Sequence, residues 1–272
     1  MVDISHLETL SRQVRGKVVE LSHNAKAPHL GSSLSCVDII VALYSQILKV
    51  NSNMAADPDR DRFVLSKGHA APALYTVLAM NNFFPFDLLD TFAKPESPLE
   101  EHPGPGCVPG VEAATGSLGH GLPIGVGMAL SARITGRSFR TAVLLSDGEC
   151  NEGTVWEAAM FAAARSLSNL LVIVDFNKWQ ATGRSREVMQ LEPLKAKWEA
   201  FGWDAHEVDG HDMKAMLDVM YKFNENNSRP MAIIAHTIKG KGVSFMEDDN
   251  NWHYRIPTAD EVLAAKRELG LL

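Results

Sequence analysis

Residues 141–177 read TAVLLSDGECNEGTVWEAAMFAAARSLSNLLVIVDFN, and this stretch decides the fold. Thr141–Ser146 and Asn169–Phe176 are short, continuously apolar runs, and Thr154–Ser166 between them is apolar around most of a helical circumference. Strands without polar alternation are covered on both faces, the condition of a parallel sheet between helices. The alternation extends downstream as a helix over 191–202 closed by Gly202, a short strand over 203–209, a helix over 211–225 and a last core strand over 231–237. Upstream, RFVLS (62–66) reads as a strand, followed by a KGH turn and a small-residue helix over 70–80. Leu7, Leu10, Val14, Val18 and Leu21 recur at helical spacing within Ile4–Ser22. A Pro/Gly/His loop follows over 23–33, and Ser35 with Asp38 has the spacing of a capping box for a helix over 36–48. The tail over 258–270 reads as a short helix. The expected fold is α/β, a doubly wound, mostly parallel sheet with helices on both faces. Nothing marks a boundary, so residues 1–272 are expected to form a single domain.

The net charge of −7 gives no support to non-specific nucleic-acid binding or to attraction to anionic membranes. The N-terminus lacks an apolar signal core, and no apolar run approaches transmembrane length. Cys36, Cys107 and Cys150 form no CxxC spacing, so neither a disulfide framework nor a structural zinc site is expected. These features imply a reduced, cytoplasmic protein. Neither a GxxxxGK[ST] loop nor a strand followed by GxGxxG occurs, which disfavours a nucleotide-binding module. Residues 94–121 form a long Gly/Pro-rich stretch that runs directly into an apolar helix over 122–134, so an ordered loop is expected.

In an open parallel sheet, ligands bind beyond the carboxyl ends of the strands. Asp147, Gly148 and Glu149 follow the first apolar run, Asn177 follows the second, and Lys239 and Gly240 follow the last. A carboxylate and an amide oxygen are hard donors that suit Mg²⁺. Gly148 lets the backbone approach a phosphate, and the helix that follows points its N-terminus there. Spacing alone is met equally well by a cap at Asp147 and a turn at Asn177.

SDGECNEG, with Asn177 thirty positions after Asp147, resembles the thiamine-diphosphate motif. HLGSSLSCVDIIVALY, FVLSKGHAAPALY, EHP, TGSLGHGLPIGVGMAL, VDFNKWQATG, VDGHD and TIKGKGVSFMED through NNWH occur in the order found in the N-terminal part of transketolases. The resemblance implies the thiamine-diphosphate-binding fold of the diphosphate type. It implies Asp147, Asn177 and the carbonyl of Trp179 as ligands of Mg²⁺, with Ca²⁺ or Mn²⁺ as substitutes. Gly148 and Glu149 would offer backbone N–H groups to the diphosphate, and Gly116 and Leu118 would face the aminopyrimidine. Ser146 stands where that motif has its first Gly.

His29, His69, His102 and His253 match transketolase histidines that bind the diphosphate or handle protons on sugar oxygens, with His69 and His253 also counted as cofactor contacts. Histidine suits that work because it titrates near neutral pH. Tyr254 follows His253 where Gly is usual, and His120 stands where Gln is common. Glu152 and Glu157 resemble interface glutamates that couple paired active sites. Lys239 and Lys241 are candidate phosphate contacts.

The family's second domain, which carries a pyrimidine-binding glutamate, has no counterpart before Leu272. The resemblance therefore implies the N-terminal subunit of a split transketolase. Such a subunit transfers a two-carbon ketol unit from a ketose phosphate to an aldose acceptor, together with a C-terminal partner. Circumferentially apolar helices imply a homodimer that the partner expands to α₂β₂. The other readings are half of a 1-deoxyxylulose-5-phosphate synthase-like or 2-oxoacid decarboxylase-like enzyme, or a non-catalytic binding subunit.

Overall fold

The computed structural model describes residues 2–224 and 228–272. Five strands form one sheet in the order β1-β2-β3-β5-β4. They are β1 (Arg62–Leu65), β2 (Thr141–Ser146), β3 (Leu170–Phe176), β4 (Asp204–Asp209) and β5 (Met231–His236), and all pair in parallel. Strands β2 and β3 are buried at every position, as their unbroken apolar character requires.

Ten α-helices accompany the sheet among the described residues: α1 (Ile4–Ala25), α2 (Leu30–Ser35), α3 (Val37–Ala42), α4 (Ala71–Met80), α5 (Gly121–Ile134), α6 (Gly153–Ala164), α7 (Ser185–Val188), α8 (Leu194–Ala200), α9 (Met213–Met220) and α10 (Ala259–Glu268). Two hydrophobic clusters lie on opposite faces of the sheet. One joins α1, α3, α4 and α9 to alternate strand residues such as Leu144 and Ile173. The other joins α5, α6 and α8 to the intervening residues, Val143, Val172 and Ile234 among them. The chain moves outward from β1 to β4 with α5, α6 and α8 on one face, then reverses into β5 with α9 on the other. Right-handed crossovers require that change of face.

Local signals explain most boundaries. Gly202, at φ +90, closes the α8 segment, and its N–H bonds to Glu199 O at 2.9 Å. The Ser35–Asp38 capping box does not form. The Ser35 hydroxyl instead donates to Asp175, and Asp38 receives both terminal nitrogens of Arg15. A capping box does occur at Thr258 and Glu261, at the start of α10. The loop expected over 23–33 ends early, because α2 begins at Leu30 and every residue in it is buried. Burial has overridden the weak helix propensity of Gly31, Ser32 and Ser33. The helix expected over 36–48 passes at Leu43 into a π-helical turn. The helix expected over 211–225 is α9 plus a 3₁₀ turn to Asn224, and its last residue, Glu225, lies outside the described residues.

The long segment from Lys94 to His120 is an ordered loop without strand or helix, anchored by buried Leu99, Val108 and Val111. It approaches the sheet at Gly68, where an added Cβ would lie 2.6 Å from the Thr115 carbonyl and 2.8 Å from Gly116 N. Both obstacles are backbone and cannot rotate away. Gly68→Ala is therefore expected to cost about 1–3 kcal/mol, the usual range for overpacking. Chemical denaturation should show the loss, and limited proteolysis should cut the 94–120 loop sooner; an unchanged midpoint would refute the contact.

Candidate active site

The register places four strand ends on one edge. Ser146 pairs with Asp175 and Phe176 with His236, so Asp147, Asn177 and Thr237 emerge side by side, with Ser66 and Lys67 beyond β1. A buried polar network lies beneath them. Lys67 and Asp175 form an ion pair with neither side chain exposed. Lys67 Nζ also donates to Ser32 O at 2.8 Å, while Asp175 accepts from Ser35 Oγ at 2.6 Å and from the Thr237 hydroxyl. Burial alone would push Lys67 down, but Asp175, with Cys36 and Asp147 adding to it, holds the ammonium above its ordinary value.

Asp147 is fully buried and has no ion-pair partner among the described residues. Its carboxylate accepts from Gly148 N at 2.9 Å, Lys178 N at 2.9 Å and Ser185 Oγ at 2.7 Å. Burial pushes it up to about 7, and the Ser185 bond only partly opposes this. A buried carboxylate with no ion-pair partner fits a divalent metal. Asn177 is buried nearby, with Oδ1 accepting from Trp179 N at 3.0 Å. Among the described residues no group of three or more His, Cys, Asp or Glu side chains is placed to hold a metal. A site here would therefore draw on amide and main-chain oxygens.

Glu149 does more than its backbone reading implied. Its buried carboxylate accepts from Ser66 Oγ, from Gly119 N at 3.0 Å and from Ser146 N at 2.8 Å. One side chain thus ties together the β1 turn, the β2 end and the long loop. Burial raises its carboxyl above the usual range against those bonds.

The four histidines converge from four separate segments. The His29 ring centroid lies 5.4 Å from that of His69, 5.9 Å from His102 and 5.0 Å from His253. His29 sits at φ +68, held by a 2.7 Å bond from its N–H to His253 O. Gly116 backs His102, where an added Cβ would meet the ring at 2.8 Å. Lys239 is fully buried here, 3.1 Å from His253 Nδ1 and 2.6 Å from Asn250 Oδ1. Burial lowers His29 to about 4, helped by His102 and Lys239, and lowers His253 to about 3, helped by Lys239 and His29. His69 is pushed well down by burial and then by Lys67. His29, His69 and His253 are thus neutral imidazoles beside buried ammonium groups.

Residues 8–272 match the family model described as the thiamine diphosphate binding domain of transketolase. The chain belongs to the transketolase family. It is 41% identical over 269 residues to one subunit of the apulose-4-phosphate transketolase of Phocaeicola vulgatus, covering 99% of this chain and 95% of that one. It is 38% identical to a 6-deoxy-6-sulfo-D-fructose transketolase subunit of a Clostridium species, with 98% and 96% covered. The transketolase of Campylobacter jejuni superposes with a TM-score of 0.93 at 27% identity, over 99% of this chain but 43% of that one. The chain thus spans about two fifths of that solved transketolase.

The remaining transketolase positions separate by location. Leu118 is partly exposed at the rim, and His120 is exposed with Nδ1 3.0 Å from Leu118 O. Glu152, which stands at the N-cap of α6, and Glu157 on that helix are exposed. Lys241 pairs with Glu247 at 3.4 Å, outside the histidine cluster that Lys239 joins. Cys150 is buried, and burial pushes its thiol far up, as expected of a packing residue. His236 ends β5 with its ring 5.3 Å from Phe176. Sequence reasoning missed Lys67, Asp175 and Thr237. The available signal was Asp175 itself, an ionisable residue at the end of an otherwise apolar run.

The lowered imidazoles set a pH dependence. An unfolded histidine takes up a proton near 6.5, but folded His253 resists protonation until about 3. Between those values the unfolded state binds more protons, so this residue's contribution weakens as pH falls. His253→Asn should therefore gain stability relative to the wild type as pH drops from 6.5 toward 3. Denaturant midpoints of both proteins across that range check it, and a flat difference would refute it.

Proposed function

We propose that this chain is the diphosphate-binding subunit of a split transketolase, moving a two-carbon ketol unit from a ketose to an aldose acceptor with a C-terminal partner. One observation carries the reading. Four histidines converge at the strand-end edge that also holds the buried carboxylate of Asp147, which has no ion-pair partner among the described residues. Thiamine diphosphate, when bound, supplies the carbanion chemistry. Asp147, Asn177 and the Trp179 carbonyl would hold Mg²⁺, for which Ca²⁺ or Mn²⁺ would substitute, and Gly148 and Glu149 would direct N–H groups at the diphosphate. Gly116 and Leu118 would flank the aminopyrimidine. His29, His69, His102 and His253 would bind sugar oxygens and pass protons to and from them, a role that a permanently charged imidazolium would fill poorly.

The relatives' names fit substrates of one class, ketoses that carry a phosphate or sulfo group. Each of those relatives is named as one part of a larger transketolase, which supports a partner that would bring the pyrimidine-binding glutamate. Residues 1–272 act as one domain in this reading, since both apolar clusters share one sheet. The unpaired state of Cys36, Cys107 and Cys150 and the absence of a membrane-crossing helix among the described residues fit a cytoplasmic enzyme.

The isolated chain should bind thiamine diphosphate weakly, and adding the partner should restore binding, as calorimetry would show. In the complex, Asp147→Ala should abolish metal-dependent ketol transfer, because Mg²⁺ takes few protein ligands. Near-normal turnover by that variant would overturn the metal assignment.

Assembly follows from α5 and α6. Met160 is 59% exposed and Phe161 40%, on the helix that also presents Glu152 and Glu157, and Ile134 at the end of α5 is 75% exposed. We place a homodimer contact on this face, which the partner expands to α₂β₂. Ala159 is wholly buried inside the chain's own core, so a charge there would test folding rather than assembly. Met160→Glu should split the dimer in light scattering while leaving the far-ultraviolet dichroism unchanged. A wild type that stays monomeric with cofactor and partner present would defeat the claim.

A further inference from the structure

Two loops at the carboxyl edge are fastened together by contacts that the roles above leave unused. The loop after β3 carries Asn177 and Trp179, and the loop after β5 carries Lys239, Asn250 and His253. Arg184 faces Trp179 across an isolated antiparallel bridge and lays its guanidinium 3.8 Å from the indole centroid. The same guanidinium grips Asp248 with both terminal nitrogens, at 2.7 and 2.6 Å. The Trp179 indole N–H donates to that carboxylate at 2.8 Å. Asn250 continues the seam, donating to Ala181 O at 3.1 Å and accepting from Lys239 at 2.6 Å. Lys239 in turn reaches His253.

A lone surface ion pair contributes little. This one is bidentate and stacked on an aromatic ring, and two side chains share one carboxylate, so its geometry is specified. Asp248 also sits at φ +60, an uncommon conformation for a residue other than glycine, and its N–H bonds to Lys239 O at 2.9 Å. The backbone is bent there to aim the carboxylate across the gap.

We propose that Arg184, Asp248 and the Trp179 side chain form a clamp that sets divalent-metal affinity by fixing the main chain of residues 177–179 against the His253 loop. These are positioning residues, and the proposal rests on the reading that Asn177 and the Trp179 carbonyl hold the metal. The clamp links the metal end of the crevice to the histidine cluster through Asn250 and Lys239.

The test uses the complex with its partner at fixed thiamine diphosphate, titrated with Mg²⁺ and followed by intrinsic tryptophan fluorescence and calorimetry. Arg184→Ala should weaken apparent Mg²⁺ affinity on the order of tenfold, as loss of residues that orient metal donors does. Turnover should recover as Mg²⁺ saturates. Arg184→Lys keeps the charge but loses the fork and the stack, so it should resemble Arg184→Ala. The charge swap Arg184→Asp with Asp248→Arg should restore part of the loss. Melting midpoints separate positioning from support: lost Mg²⁺ affinity at an unchanged midpoint supports the clamp. Wild-type Mg²⁺ affinity in both Arg184→Ala and Arg184→Lys overturns it. A wild-type complex with no Mg²⁺ response would instead overturn the metal reading beneath it.

Discussion

The buried Lys67–Asp175 ion pair is the constraint around which the active-site edge is arranged. Two charges without exposure are costly to desolvate, and they persist only if every remaining donor and acceptor is met. Meeting them recruits Ser32 and Ser35 from α2 and Thr237 from the β5 end. Those bonds draw α2 down over the sheet, which is why a Gly-Ser-Ser stretch becomes a fully buried helix. His29 at the start of α2 and His69 two residues beyond Lys67 are then carried to the same place. The histidine cluster is thus a geometric consequence of how the ion pair is satisfied.

The buried carboxylates show how electrostatics sorts support from function. Asp175 is neutralised by Lys67, and Asp38 by Arg15, with His211 at 2.7 Å as a further partner. Glu149 lacks a cation but is bonded by donors from three segments. Asp147 has three donors and no ion-pair partner among the described residues, and burial lifts it to about 7. A fold that places this charge at the end of β2 holds an imbalance that a bound cation removes. The local packing needs no carboxylate there, since Ser185 and two backbone N–H groups could equally meet a neutral acceptor.

The sheet was legible because its central strands are mostly apolar runs that permit few alternatives, and the helix ends were legible where Gly202 or small residues mark them. The edge shared by Asp147 and Asn177 could be read because strand-end residues in a parallel sheet must share one, whereas the four histidines were singled out by the transketolase resemblance and lie in loops that no spacing rule brings together. What could not be read was decided by long-range polar contacts. Ser35 and Asp38 have capping-box spacing, yet each has a stronger partner, Asp175 and Arg15, far away in sequence. The same holds for Lys67 and Lys239, whose flanks suggested turns and whose burial depends on α2 and on Asn250. Ala159 and Met160 are adjacent in an evenly apolar helix, and only the packed fold shows which one faces out.

Two buried lysines bear on how the cluster would serve the proton handling proposed for it. Lys239 is pushed down to about 8 by burial and by Lys67, so it keeps most of its charge at neutral pH while standing against His253. Burial, with the positive charge of Lys239 adding to it, keeps His29 and His253 neutral well below the pH at which free histidine ionises. A neutral ring both donates and accepts, so each can hold a hydroxyl in either direction of proton transfer. In the proposed function, the positive potential that would attract an anionic sugar comes from the lysines, while the histidines beside them would stay free to exchange protons.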